Sequence, residues 1–472
     1  MATKNEPFGY KPPKKTYRKL DDATVLSRIK SAKAYADGIS ELGDQVKQSQ
    51  QNGQDTIDHM VDLFTSRHNL GFPEGRRWVG FDAKSGKTPD IVFRMQGMLA
   101  GKLKFQYVSP AGVEREARAD EIEQYLNGYP SYLFRKHKNN RWDLKSLFWQ
   151  LLAGRSYLQQ TYLPFHWDKN EQKRKTDEED GAYNRRVAAY RGFMGPPMRV
   201  DSIDPRMVFP LQTGAGTIGY VKKYRVQKFN LVESMHSIGV HPSFDADGNV
   251  TDVRELAGLE LPDSSTDAYT GSVDYWEMID EAMCYYVVGN KVIHAYQHDG
   301  GIGIFEALGL QTGFNEFNLQ AMGVLWPVRN EIPQLDFLRT LWVNKAYIDV
   351  FPQLLAQLAD TDNPLEDEDG NPREWNIEPG TVKQIRGQLI NALKDAASGV
   401  DFRAMIEDYK TEIDLATIPN LLRGYAGAQQ PGYSINQLVQ TTRTQWKPMV
   451  TSREDQMAAI AEHHLFVVKN II

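Results

Sequence analysis

Cysteine is almost missing from this sequence. Cys284 is the only one in 472 residues, which excludes disulfide frameworks and cysteine-built zinc sites. Long apolar runs are missing too: the richest, Phe148 to Ala153 and Leu465 to Val468, fall far short of the roughly 18 residues a bilayer span needs, so no membrane is expected as a partner. Basic charge has no surplus. The 55 Lys and Arg face 61 Asp and Glu, a net charge of −6 that rules out a uniformly basic nucleic-acid coat but not a local patch. The N-terminus carries Lys4, Lys11, Lys14, Lys15, Arg18 and Lys19 broken by Pro7, Pro12 and Pro13, without the apolar core of a signal peptide. Retention in a cytosol is the expectation, and residues 1–20 are expected to form a basic mobile tail.

What is present suits a folded chain of two to four domains, at about 150 residues each. From Asp21 the pattern is helical, with Val25, Leu26, Ile29 and Ala32 on one face and Asp21 or Asp22 as N-cap. A second amphipathic helix is predicted around Ile57 to Phe64, and a strand at Leu103, Phe105 and Tyr107. Leu144, Leu147, Phe148, Leu151 and Leu152 describe a helix that Gly154 should end, followed by a strand from Ser156 to Leu163. Residues 168–191 form a charge block of mixed sign, expected as a solvated insertion. Residues 198–304 read as mostly β, with strands at Val200–Val208, Tyr220–Val226, Val273–Ile279, Met283–Val288 and Val292–Tyr296. A long helix should then run from Pro333 to Phe351, with Pro333 in its first turn. Phe402, Met405, Ile406, Tyr409 and Ile413 mark another helix, and residues 434–472 two more, jointed near Pro448.

No motif completes a catalytic constellation. The stretch Gly80 to Thr88 (GFDAKSGKT) imitates a phosphate-binding loop but holds five residues between its glycines where four are required, and Pro89 and Asp90 follow. A lysine-rich hairpin is the expectation there. Gly214 to Gly219 matches the dinucleotide pattern, yet the Tyr220 to Val226 strand stands where that motif needs a helix. Asp245 to Asn249 hints at a calcium loop, but Val250 and Leu256 stand where that loop needs glycine and glutamate, so it reads as a hairpin turn. His294 and His298 lie on a strand, too far apart to chelate together, while His463 and His464 point about 100° apart on a helix. Cys284, within a strand, is expected to be a buried thiol. No cofactor, metal or catalytic residue is assigned.

The order of segments is distinctive, and it resembles the portal proteins of tailed bacteriophages. Leu144 to Tyr157 is similar to the wing helix that passes through a glycine into a strand, and Val200 to Val208 (VDSIDPRMV) to the wing strand ending in Asp-Pro. Val324 to Phe351 resembles the first stem helix with its lead-in, and Phe351 to Ile385 the clip that follows it. Ile413 to Pro419 with Gly424 is similar to the segment closing the wing, and Gly432 to Ile435, leading to Lys447 and Pro448, to the start of the C-terminal helices. The charged insertion is longer, and the clip shorter and more acidic, than the family pattern suggests.

The resemblance implies an α+β portal fold: a wing over 21–325, a stem helix over 326–350 and a clip over 351–386. A second stem helix, tunnel loop and wing helix would occupy 387–431, and wing and crown helices 432–472. It implies a homo-dodecamer at one capsid vertex, assembled in the host cytoplasm, through which double-stranded DNA passes. Partners implied are the terminase large subunit, the head-tail adaptor, and the major capsid and scaffolding proteins. Candidate channel residues are Asp336, Asp349, Asp395, Ser398 and Gly399; candidate clip docking residues are Glu366, Asp367, Glu368, Asp369 and Trp375; candidate stem packing residues are Leu335, Leu338, Leu341 and Trp342. A predominantly acidic lumen would let DNA slide, whereas a Lys/Arg lining would hold it through counterion release. The alternatives are a nucleotide-dependent packaging enzyme and another structural protein of the virion.

Overall fold

The computed structural model describes residues 19–36, 53–70, 82–100, 104–107, 119–128, 141–162, 173–176, 178–194, 198–213, 216–236, 240–244, 250–255, 271–289, 291–298, 301–313, 320–350, 354–358, 382–386, 402–417 and 446–470. Helix α1 (Asp22–Ala36) buries Val25, Ile29 and Ala32 as the spacing predicts. Its entry is capped by Asp21, whose carboxylate accepts from the Thr24 amide (3.2 Å) and hydroxyl. Helix α2 (Gly53–Phe64) is followed by a turn at Thr65 and Ser66, the latter a non-glycine residue in the left-handed region (φ 57°). Helix α3 (Lys87–Leu99) stands where a lysine-rich hairpin was expected. Pro89 falls in its first turn, where a missing N–H costs nothing, so the apparent breaker is a helix starter.

A helix over 119–128, α4, lies beside the segment 104–107, which is not a strand as its alternation suggested. There the Phe105 N–H donates to Asn127 Oδ1 (2.8 Å) and its carbonyl accepts from Asn127 Nδ2 (2.9 Å), so a side-chain amide takes the place of a neighbouring strand. Helix α5 (Trp142–Ala153) ends at Gly154 in the left-handed region (φ 73°), and the chain turns into β1 (Arg155–Tyr162). The close approach of backbones at this junction demands glycine again at Gly323. Val324 N–H donates to Leu151 O (2.7 Å), and a Cβ on Gly323 would fall 2.6 Å from that same oxygen and nearer still to Leu152 O.

Helix α6 (Asp180–Met194) lies in the predicted charged insertion and is largely exposed, held to the preceding turn by Arg186–Glu178 (2.7 Å) and Arg174–Asp180 (2.6 Å) pairs. Strand β2 (Met198–Ile203) and β3 (Val208–Thr213) are separate, because Asp204 caps a 3₁₀ turn over Pro205–Met207 by accepting from Arg206 N–H. The β region continues as β4 (Gly216–Gln227), β5 (Val240–Phe244), β6 (Val250–Glu255), β7 (Ser272–Asp280), β8 (Met283–Val288), β9 (Lys291–Gln297) and β10 (Ile304–Leu308). One helix, α7 (Lys228–His236), interrupts it. Two short strands, β11 (Leu310–Gln311) and β12 (Ala321–Met322), pair before the long helix α8 (Glu331–Val350). Strands β13 (Leu354–Leu358) and β14 (Val382–Arg386) pair in parallel; helices α9 (Phe402–Ala416) and α10 (Lys447–Asn470) follow.

The fold is thus mixed α+β. Strands β3-β4-β7-β8-β9 form one antiparallel sheet and β10-β1-β2 another. Helix α1 covers one face of the larger sheet, packing on Phe209, Leu211, Val221, Met278, Tyr285 and Val287. The two sheets meet through Tyr157, Ile203, Val208, Tyr220, Ile279, Cys284 and Ile304. Buried Lys222 on β4 bridges them, pairing with Glu277 on β7 (2.6 Å) and donating to Gln159 on β1 (2.9 Å). Burial is the largest influence on Lys222 and opposes its charge, but Glu277, Tyr224 and Cys284 together outweigh it and the ammonium titrates above its ordinary value. Cys284 is buried as expected; burial, with Glu277 beside it, pushes its thiol up to about 12. Helix α10 is stitched to α5 and β10 by side-chain amides: Gln150 Nε2 donates to Met449 O (2.9 Å), and Gln456 Nε2 to Phe305 O (2.8 Å).

Replacing Gly323 by Ala should lower stability to urea by about 1–3 kcal/mol, because backbone rather than a movable side chain occupies the space. An unchanged unfolding midpoint would show that the α5 junction is looser than these distances.

Candidate functional site

The site that the sequence points to most often is helix α8, with its surroundings in a core that draws on α2, α3, α5, α9 and the start of α10. Ile332, Leu335 and Leu338 turn into this core. On the other side of the helix three polar residues spaced by four, Asp336, Thr340 and Asn344, are also buried. Two of them bind the segment entering α3. Asp336 Oδ1 accepts from the Ser85 N–H (2.6 Å), and Thr340 Oγ1 accepts from the Ala83 N–H (3.0 Å). The match is geometric: two residues of extended chain advance about 6.6 Å, and four residues of helix about 6.0 Å.

Asp336 is 1% exposed, which withdraws it from the channel-facing candidates. A carboxylate so buried needs donors from its own chain. Besides Ser85, the imidazole of His68 stands 3.1 Å from Oδ2, an electrostatic approach rather than an aligned hydrogen bond. His68 follows the turn at Ser66, and both carbonyls accept from Lys84 Nζ (2.7 Å each).

These contacts also explain the phosphate-loop imitation. Of the groups that would have to meet a phosphate, the Ser85 amide holds Asp336 and the Lys87 ammonium holds Asp414 of α9 (2.5 Å). The Thr88 hydroxyl is buried and donates to Leu63 O (2.9 Å). The anion in this loop is the protein's own carboxylate.

The remaining candidates divide sharply. Leu335 and Leu338, expected to pack against a sister subunit, are consumed by the chain's own core; Leu338 is only 8% exposed. Leu341 is half-buried, and Trp342 is 49% exposed. The side chain of Asp349 lies outside the described residues, as do Asp395, Ser398, Gly399, Glu366, Asp367, Glu368, Asp369 and Trp375. So does most of the N-terminal tail.

Helix α9 packs along α8, with Ile406 and Ile413 in the shared core and Tyr409 Oη donating to Gln334 Oε1 (2.5 Å). Met405 and Leu415 remain exposed on it. Sequence reasoning missed the partners of α8, namely Ser85, His68 and Ala83. The available signal was the Asp336, Thr340, Asn344 spacing, a polar stripe on a helix otherwise rich in apolar residues. Among the described residues no cluster of His, Cys, Asp and Glu is arranged to hold a metal, and no helix is long and apolar enough to cross a membrane.

Asp336→Ala should cost about 3 kcal/mol of stability in urea unfolding, with Asp336→Asn costing less because Ser85 keeps an acceptor. Wild-type stability in the alanine variant would contradict the structural role and reopen a surface role for this position. No protein-family model matches the chain, and none of the curated proteins matches it significantly.

Proposed function

We propose that this chain is the subunit of a phage-type portal, a ring at one vertex of a capsid through which double-stranded DNA enters and leaves. One observation carries the reading. Leu335, Trp342 and Ala346 fall on one stripe of α8, at spacings of seven and four residues. Among the described residues that stripe is covered at Leu335 and open at Trp342 and Ala346. An apolar face that continues beyond its own core calls for a partner, and in a cyclic assembly the neighbouring copy supplies it.

The order of elements supports the same reading. The long helix α8 leads to a small parallel β unit, β13 with β14, and α9 then packs back on α8. In this reading they would be the stem, clip and returning helix of the portal pattern. On the same reading the helix-to-strand passage at Gly154 and the Asp204-Pro205 strand end would belong to the wing. In this reading the terminase large subunit docks on the clip during packaging and the head-tail adaptor takes its place later. Scaffolding and major capsid proteins surround the wing. The work is mechanical: the ring guides DNA, and the terminase supplies ATP hydrolysis. A net charge of −6 per chain, multiplied around the ring, favours passage of the duplex over retention.

Trp342→Asp is the direct test. The position is half exposed, so the variant should stay folded, at a cost of about 1–3 kcal/mol for the apolar area it gives up. Its sedimentation should shift from ring to free subunit. An intact ring from the folded variant would remove α8 from the subunit interface. Leu338→Asp is unsuitable for this purpose, since it places a charge in the chain's own core.

A further inference from the structure

Four polar atoms beside the Asp336 clamp have no hydrogen-bond partner among the described residues: Asp336 Oδ2, the Ser85 hydroxyl and both ring nitrogens of His68. Ser85 and His68 are only 5% and 6% exposed, so these groups lie as far from bulk solvent as the carboxylate does. They are also neighbours. His68 Nε2 stands 3.1 Å from Asp336 Oδ2, and the Ser85 hydroxyl is three bonds from the amide nitrogen that holds Asp336 Oδ1 at 2.6 Å. Buried polar groups left unpaired are costly and rare, and several in one place point to a bound molecule. The mismatch does not depend on how the His68 ring is turned. A rotation that brings one N–H into line with Oδ2 satisfies one nitrogen and one oxygen; the other nitrogen lies across the ring and, with the Ser85 hydroxyl, still needs a partner.

We infer that Asp336, Ser85 and His68 form a binding site for a single internal water molecule. The ligand of this set must donate as well as accept. An ionised carboxylate oxygen only accepts, whereas a serine hydroxyl does both and a neutral imidazole offers one nitrogen of each kind. Water meets these demands at the smallest size, and three protein partners is the usual number for a buried one. A metal ion is a poorer match, since the set supplies one carboxylate and one imidazole, and no cluster of His, Cys, Asp and Glu among the described residues is arranged to hold a metal. The water is then a member of the clamp: it ties the segment after α2 and the segment before α3 to α8, where the direct contacts alone leave the second carboxylate oxygen unmet.

Ser85→Ala in the full chain tests this by the sign of its effect. A hydroxyl bonded to water contributes a hydrogen bond, and its loss should lower the folding equilibrium constant by about five- to tenfold in urea unfolding. A hydroxyl buried without a partner is a burden, and its removal would raise that constant. No change, or a rise, takes Ser85 out of the site and overturns the proposal. A density map of the wild-type chain fine enough to show ordered water gives the second reading, and it decides alone should the variant fail to fold. An isolated peak is expected within about 3.2 Å of Asp336 Oδ2 and of Ser85 Oγ or a His68 nitrogen. No peak between these groups, or one at the roughly 2.0–2.2 Å of a metal–ligand bond, would refute the water.

Discussion

A carboxylate withdrawn from water must find its donors inside the protein, and the fold around α8 is organised by that requirement at Asp336. Its oxygen fixes the Ser85 amide, and the imidazole of His68 closes the other side. Because Ser85 lies just before α3 and His68 follows the end of α2, one side chain sets the position of the long helix relative to two others. Lys84 tightens the arrangement through the carbonyls of Ser66 and His68, and Lys87 draws in α9 through Asp414. The same contacts use up the groups from which a nucleotide site would have been made. A segment that looks like a phosphate loop is here a clamp for an internal anion.

The pattern recurs across the molecule: elements far apart in sequence are joined by buried polar groups within apolar clusters. Lys222 and Glu277 join with Gln159 between the two sheets, Arg155 pairs with Glu306 (2.7 Å) across β1 and β10, and Gln150 and Gln456 hold α10. Burial of apolar surface supplies the drive to collapse, but it is not directional. These hydrogen bonds select one arrangement among the many that would bury similar area.

Much of the fold was legible from periodicity. α1, α5 with its Gly154 terminus, the strands β7 to β9 and the span of α8 all follow from local spacing and capping. The misreadings have identifiable physical causes. Pro89 and Gly86 looked like turn residues, but proline in a first turn is compatible with a helix. The alternation at Phe105 and Tyr107 looked like a strand, yet Asn127 completes the backbone there. Helix α7 was hidden inside a β-rich region, although Leu231, Val232 and Met235 carry helical spacing. Asp336 read as a surface acid because its partners stand some 250 residues away in the chain, a separation across which local pattern has no reach. Along α8 periodicity marked the apolar stripe but not where, among the described residues, its cover ends. Leu338 and Trp342 therefore looked equivalent, and only the second faces outward.

The portal reading rests on that open stretch of α8: the helix is anchored at its start by Asp336 and carries an exposed apolar side chain, Trp342, farther along, which a neighbouring copy would cover if the reading is right. The wild-type chain, purified and viewed by electron microscopy, gives the most direct test. The account predicts rings of twelve subunits around a central hole wide enough for a DNA duplex. Monomers or dimers at every concentration, or hexamers that form only with ATP, would contradict it.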